Sequence, residues 1–301
     1  MAERIIQLAK NLSELSAKKR DLAFKHGGWG SEKLDGVWVA AICFNGNVLF
    51  KSSTLEDYIS LQDTELERDI HTRMTGEDNC VLIGEAYKHG VEQNIISGIC
   101  RTETRGIGTD IELHCHDILT LDEWESMAAS RPYAERKVHL ERLIQGSTQR
   151  LHTIPQFNIA NEIQLLEMAR AVQRRGGEGV CYRPMDAGWV SGDRSTNLIR
   201  DKEKITFDLE ALGVSGVKTG PKGGLLGVLN VRWRKFGNPE GEECIQDVRG
   251  MTHDDLRAWD ADPSLIAGKI VQIEAMKMTP YGTLREPRFK CIREDKTVAD
   301  L

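Results

Sequence analysis

Apolar residues along this chain change their period three times. Ile5, Leu8, Leu12 and Leu15 recur at the three-to-four spacing of one helical face, which predicts a helix over residues 3–25. It would carry the basic run Lys18-Lys19-Arg20 and stop at Gly27-Gly28-Trp29-Gly30. Apolar runs at 37–44, 47–53 and 80–87 then alternate with polar turns and read as strands. Helical spacing returns from Asn161 to Arg175, with Ile163, Leu166, Ala169, Ala171 and Val172 expected inward. Beyond Phe207 strands dominate: Gly224 to Trp233, a turn at Gly237-Asn238-Pro239-Glu240-Gly241, a helix near 252–259, and a further run from Lys269 to Ala275. Short strands around one small helix suit an OB-fold β-barrel. The expected architecture is α+β in two domains, residues 1–206 and 207–301, with no internal repeat.

Chemistry enters at the first strand. Glu32-Lys33-Leu34-Asp35-Gly36 places a lysine just ahead of the run Val37 to Phe44, in a K-x-D-G pattern. A lysine amine attacks phosphorus only after losing a proton, and an ordinary lysine, with a pKa of about 10.4, rarely does so near neutrality. The pocket is therefore expected to lower that pKa through neighbouring cations, a bound metal and desolvation. Two acids follow: Glu85 at the end of the run Val81 to Tyr87, and Glu178 in Gly177-Glu178-Gly179-Val180-Cys181-Tyr182-Arg183. Arg200 and Lys202, two residues apart on an extended chain, share one face. The C-terminal part ends in Leu284-Arg285-Glu286-Pro287-Arg288-Phe289 and Arg293-Glu294-Asp295-Lys296.

In content and order these segments, with Ser97-Gly98-Ile99-Cys100-Arg101 between them, resemble the ATP-dependent DNA ligases of the covalent nucleotidyltransferase superfamily. The likeness spans nearly the whole chain, and Arg200 to Leu209 is most similar to compact bacteriophage ligases. The resemblance implies an ATP-grasp-like adenylyltransferase domain of antiparallel sheets with flanking helices, followed by the OB-fold domain. It implies Lys33 as nucleophile on the α-phosphate of ATP, Asp35 as a group orienting the nick, and Glu85 and Glu178 as ribose and metal acids for Mg2+ or Mn2+. Glu32, His116, Arg194, Arg200 and Lys202 would meet the nucleotide, His116 standing where the family has the aromatic that stacks on adenine. Lys202 would assist catalysis, and Arg293 and Lys296 would orient the departing pyrophosphate once the second domain closes. The implied activity is sealing of nicks in duplex DNA, by a monomer, through lysine-adenylate and DNA-adenylate intermediates. An RNA ligase of the same superfamily and a nick-binding protein with impaired catalysis are the alternatives. An NAD-dependent ligase fits poorly, since 32 residues precede Lys33 and no zinc-binding cysteine set follows. Three positions depart from the family pattern. Trp38 and Ser53 stand where phosphate-binding arginines are usual, with Lys51 or the basic N-terminal segment as compensation, and Arg200 replaces the usual lysine.

Composition changes this picture little. No apolar run reaches the length of a membrane span and no signal-peptide core opens the chain, so the expectation is a cytoplasmic protein, in a bacterium or a phage-infected host. Seven cysteines without a C-x-x-C pair read as core residues. The net charge of −6 is uneven: residues 54–127 hold 17 acidic against 5 basic residues, whereas 168–207 hold 8 basic against 5 acidic, so the basic excess lies with the nucleotide-facing segments. A metal site at His114, Cys115 and His116 is disfavoured because neighbours on a strand diverge. Gly220-Pro221-Lys222-Gly223-Gly224 lacks phosphate-loop spacing and is expected to be a loop of the barrel.

Overall fold

The computed structural model describes residues 5–74, 79–146, 148–202, 204–221 and 223–301. It is mixed α+β, with three five-stranded sheets and a few helices. The chain divides into two compact units, Met1–Lys202 and Glu203–Leu301, so the break falls slightly ahead of the expected residue 206 and leaves the Ile205–Thr219 strand whole.

The first unit is built on two sheets. One runs Asn47–Lys51, Val37–Phe44, Cys80–Tyr87, Glu112–Thr120, Leu151–Thr153. Its strands read as continuous apolar runs because both faces are covered. Val39, Ala41 and Cys43 pack with Leu66 and Ile70 of the Glu65–Met74 helix and Leu140 of the Tyr133–Leu143 helix. Ala40 and Ile83 face Trp124 and Trp189 on the other side. The second sheet runs Lys10–Asn11, Ile199–Lys202, Gly179–Pro184, Gly28–Glu32, Gln156–Ile159, with the Glu162–Arg174 helix packed on it through Leu165, Ala169 and Val172. Lys33 to Gly36 form the short link from Gly28–Glu32 in one sheet to Val37–Phe44 in the other.

Three sequence expectations need correction here. Only Ala17–Phe24 of the predicted N-terminal helix is α-helical. Residues 5–11 run extended, because their backbone is claimed by neighbouring segments: Ile5 donates to Ser53 O, Leu8 to Asp193 O, Lys10 to Leu198 O, and Lys10–Asn11 pairs in parallel with Ile199–Arg200. Met1 to Arg4 of that expectation lie outside the described residues. In the later helix Ile163 is 69% exposed, so the buried stripe starts at Leu165. The cysteines are all free, but only 43, 80, 100 and 115 are core residues, and Cys291 is exposed.

The second unit is built on a five-stranded antiparallel sheet in the order Glu243–Val248, Leu225–Arg234, Ile205–Thr219, Ile270–Ala275, Arg288–Ile292, with a small two-stranded sheet of Lys277–Met278 and Leu284–Arg285 beside it in sequence. Ile205–Thr219 is long enough to pair with Ile270–Ala275 through its first half and with Leu225–Arg234 through its second, bending at bulges near Ala211 and Ser215. Among the described pairings no closed barrel forms; the outer strands meet at a single parallel bridge, Arg249 to Arg288. Trp233, Leu209, Val231, Trp259 and Ile273 make the core. The helix His253–Ala261 starts on a capping box between Thr252 and Asp255. Gly220 and Gly224 belong to the turn between Thr219 and Leu225, a structural loop as expected; Lys222 lies outside the described residues.

Candidate active site

Lys33 is fixed by its neighbours on both sides. Its backbone N–H donates to Gly179 O, and three residues on Gly36 lies against the next strand, where a Cβ would stand 2.6 Å from Ala86 O and 3.1 Å from Glu85 Cβ. A side chain at 36 would push the link away from Glu85. Gly179 solves a second approach: its φ is +148°, and a Cβ there would fall 2.3 Å from Asp201 O. The backbone therefore carries Glu178 and Lys202 together, with Gly179 and Lys202 in register.

The resulting cluster centres on Glu178. Lys33 Nζ lies 2.6 Å from Glu178 Oε2, and Lys202 Nζ lies 3.9 Å from Glu178 Oε1. Burial pushes the Lys33 pKa down, but Glu178, with Cys181 and Glu85 adding to it, outweighs burial and the ammonium is held above its ordinary range. This reverses the lowered pKa expected from sequence: the nearest charge to Lys33 is an acid, and the cations stand behind that acid. Glu85, opposite Trp38 and His114 in its sheet, has its pKa pushed up to about 7, first by burial and then by Glu178 and Asp35, against the pull of Lys33 and Arg183.

A cavity of about 310 Å³ opens beside this cluster, lined entirely by residues between Ile6 and Arg200. Glu32, Lys33, Glu85, His116, Arg194 and Arg200 all line it. His116 Nδ1 accepts from Arg183 Nη2 at 3.0 Å, and burial together with the Arg183 charge drives its pKa down to about 3, so the ring is neutral. Arg200 Nε donates to Asn11 Oδ1 at 2.7 Å and Arg194 Nη1 to Ala9 O at 3.0 Å, so the extended N-terminal segment positions both cations. Glu32 is paired with Arg175.

Other expected residues lie apart. Asp35, Glu178 and Lys202 are not on the cavity wall, and Trp38 occupies it where an arginine was expected. Lys51 is ion-paired with Asp57 at 2.9 Å, and the Ser52 hydroxyl accepts from the Thr54 and Glu56 N–H groups within a turn. In the second unit Arg293 Nη1 lies 2.7 Å from Asp208 Oδ2, and Lys296 pairs with the same oxygen and with Asp300 at 3.3 Å.

Lys33 thus pairs with Glu178 and shares a cavity wall with Glu85 and three arginines, and a family model described as the ATP dependent DNA ligase domain matches residues 7–202. The chain belongs to that family. Among curated ligases it is 26% identical over 233 residues to a probable DNA ligase of Nocardioides sp. (strain ATCC BAA-499 / JS614), an alignment covering 76% of this chain and 43% of that protein. It spans about two-fifths of the length of the curated relatives it matches. Its fold is that of the solved structure Pmar-Lig_Pre., with a TM-score of 0.74 at 20% identity over 98% of this chain and 68% of the other. It is also that of the ATP-dependent DNA ligase from bacteriophage T7 in complex with ATP, with a TM-score of 0.56 at 17% identity over 96% and 98% of the two chains.

Two wall residues escaped the sequence reading. Gln7 Nε2 donates to Gly188 O at 3.1 Å, while its buried Oε1 has no partner among the described residues. Arg183 closes the quoted E-G-x-x-x-R segment, but nothing in the spacing tied it to His116, which lies 67 positions earlier.

Proposed function

We propose that the protein is an ATP-dependent DNA ligase that seals nicks in duplex DNA, acting in the cytoplasm as a monomer. The observation that carries this reading is Lys33 on the cavity wall, paired from behind with Glu178, which Lys202 approaches in turn. Lys33 is the nucleophile. Its raised pKa means that the ammonium must give up a proton before attack, and Glu178 Oε2, 2.6 Å away, is placed to take it. The amine then bonds to the α-phosphorus of ATP, the bond to the bridging oxygen breaks, and pyrophosphate leaves. Arg194, Arg200 and Lys202 stabilise charge developing on the phosphoryl oxygens. The adenylate passes to a 5′-phosphate, which Asp35 helps to orient, and a 3′-hydroxyl displaces AMP.

The residues present fit both nucleotide and metal. The unpartnered Gln7 Oε1 offers an acceptor to an amino group such as that of adenine, the neutral His116 ring offers a stacking face, and Glu32 extends the same wall. Glu85 and Glu178 offer the hard oxygen donors that suit magnesium or manganese, and their mutual repulsion is what a cation relieves. When bound, the ion supplies positive charge to phosphate oxygens.

For the second unit an OB-fold is the reading that the strand order supports, with the helix lying between the third and fourth strands and the Arg249–Arg288 bridge at the seam. Arg293 and Lys296 are assigned to the leaving pyrophosphate.

Incubation with α-labelled ATP and magnesium, followed by denaturing electrophoresis, tests the first step. Label should stay on the chain and vanish in Lys33→Ala and in Lys33→Arg, whose guanidinium stays protonated. A band that persists in Lys33→Ala would overturn the assignment. Sealing of DNA nicks and of RNA nicks, measured side by side, separates a DNA ligase from an RNA ligase.

A further inference from the structure

The edge of the larger sheet of the first unit carries a second constellation, away from the cavity wall. Glu112 and His114 project from one face of the Glu112–Thr120 strand, two residues apart. His152 is the register partner of His114 on the parallel neighbour Leu151–Thr153. The strand pairing therefore turns a spacing of 38 positions into a contact between rings, whose centroids lie 5.1 Å apart. Both imidazoles address the same carboxylate oxygen: Glu112 Oε2 is 2.9 Å from His114 Nε2 and 3.8 Å from His152 Nε2. One ligand atom from each residue lies within 4.8 Å of the others.

We propose that Glu112, His114 and His152 form a binding site for a divalent ion of the zinc class. Two ligands on a tetrahedral zinc ion stand ~3.3 Å apart, so the observed separations need only small side-chain rotations. Two imidazoles and one carboxylate form a borderline donor set that favours zinc, cobalt or nickel and discriminates against magnesium. The remaining oxygen, Glu112 Oε1, lies 3.9 Å from Arg150 Nη1, and Arg150 also reaches Asp110, so the carboxylate is held from behind with Oε2 forward. The Tyr87 ring meets the His114 ring edge-on at 5.4 Å and limits its rotation. His114 is 18% exposed, Glu112 28% and His152 34%, which leaves a path for the ion and a coordination position for water. The sequence trio His114, Cys115 and His116 does not form: Cys115 is buried in the opposite core and His116 is held by Arg183.

A bound ion would cross-link two strands at the sheet margin, where Leu151–Thr153 is only 3 residues long. Its role is that of a staple, and it is independent of the reaction at Lys33, so a preparation that never takes label from ATP tests it equally well.

The experiment is equilibrium dialysis of the metal-free chain against zinc in excess magnesium, with cobalt titration followed by its visible d–d bands. One zinc equivalent should bind, and Tm should rise by at least ~3 °C at saturation. Glu112→Gln and His152→Ala should each weaken binding by roughly 100-fold or more and abolish the Tm rise. Circular dichroism shows whether each variant is folded, and if one is not, the other decides. Absence of zinc binding to the natural chain, or undiminished binding in a folded variant, would overturn the site. Loss of zinc from Glu85→Gln with retention in His152→Ala would also overturn it, by placing the ion beside Lys33.

Discussion

Around Lys33, Glu85 is the side chain whose ionisation opposes folding. Its pKa stands at about 7 against an ordinary 4.5, so the folded chain holds this proton more tightly than the unfolded one. The stability tied to it is fully present below the ordinary value and is lost as pH rises through about 7. Glu85→Gln cannot ionise. It should be more stable than the natural chain near pH 8, by about 1–3 kcal/mol, with the gap closing toward pH 4.5, while taking no label from ATP. Urea titrations at the two pH values check the sign. His116 has the opposite linkage. With a pKa of about 3 against 6.5, its contribution is present above the ordinary value and lost as pH falls toward 3. His116→Phe should therefore soften acid unfolding in that window and keep or improve ATP use, whereas His116→Ala should raise the ATP concentration needed for self-adenylation. Unchanged ATP dependence in both variants would refute the stacking role.

At the scale of elements, the first unit depends on a buried ion pair that no motif announced. Asp117 of the Glu112–Thr120 strand and Arg136 of the Tyr133–Leu143 helix are both inaccessible. They meet through two hydrogen bonds, Nε to Oδ1 at 2.8 Å and Nη2 to Oδ2 at 3.1 Å, and Arg136 also donates to Ala187 O at 3.1 Å. Burial would raise the Asp117 pKa, but Arg136, with Arg183 and His116 adding to it, outweighs burial and holds the carboxyl below its ordinary range. Removing either partner should cost about 3–5 kcal/mol, and the double change Asp117→Leu with Arg136→Met less than the sum, measured as a double-mutant cycle. This pair marks the limit of what the sequence revealed. Strands 37–44 and 80–87 were legible because doubly covered strands are uniformly apolar, and the Lys33, Glu85 and Glu178 grouping was legible because each sits in a recognisable segment. Polar pairs, by contrast, join residues with no local period, so the ion pair of Asp117 with Arg136 and the hydrogen bond of Arg183 to His116 could be found only in three dimensions. Residues 5–11 misled for a related reason: helical spacing was overruled by backbone partners near residues 193–199.

For the whole molecule, the cavity and its cluster draw only on the first unit, and each unit has cores of its own. Residues 1–202 alone should therefore fold and bind ATP, as read by calorimetry, but self-adenylate slowly for want of Arg293 and Lys296. In the full chain, Arg293→Ala and Lys296→Ala should slow self-adenylation greatly and largely spare sealing of a pre-adenylated nick. If both cations instead contact DNA phosphates, sealing falls with a marked salt dependence while self-adenylation survives. The sheet that presents Lys33 has a further consequence, for the newborn protein. Val37–Phe44 and Asn47–Lys51 pair across the two-residue turn Asn45-Gly46, but among the described residues Gly28–Glu32 pairs only with strands beginning at 156 and 179, and Lys10–Asn11 waits for Ile199. Such high-contact-order pairings form late, after the loops between them have closed. During vectorial synthesis the local hairpin emerges ready to form, while the strand that leads into Lys33 stays unpartnered until residue 156 and beyond have left the ribosome. A ribosome stalled midway would carry Lys33 already translated but without Glu178 beside it, so the surroundings of Lys33 are among the last parts of the first unit to come into being.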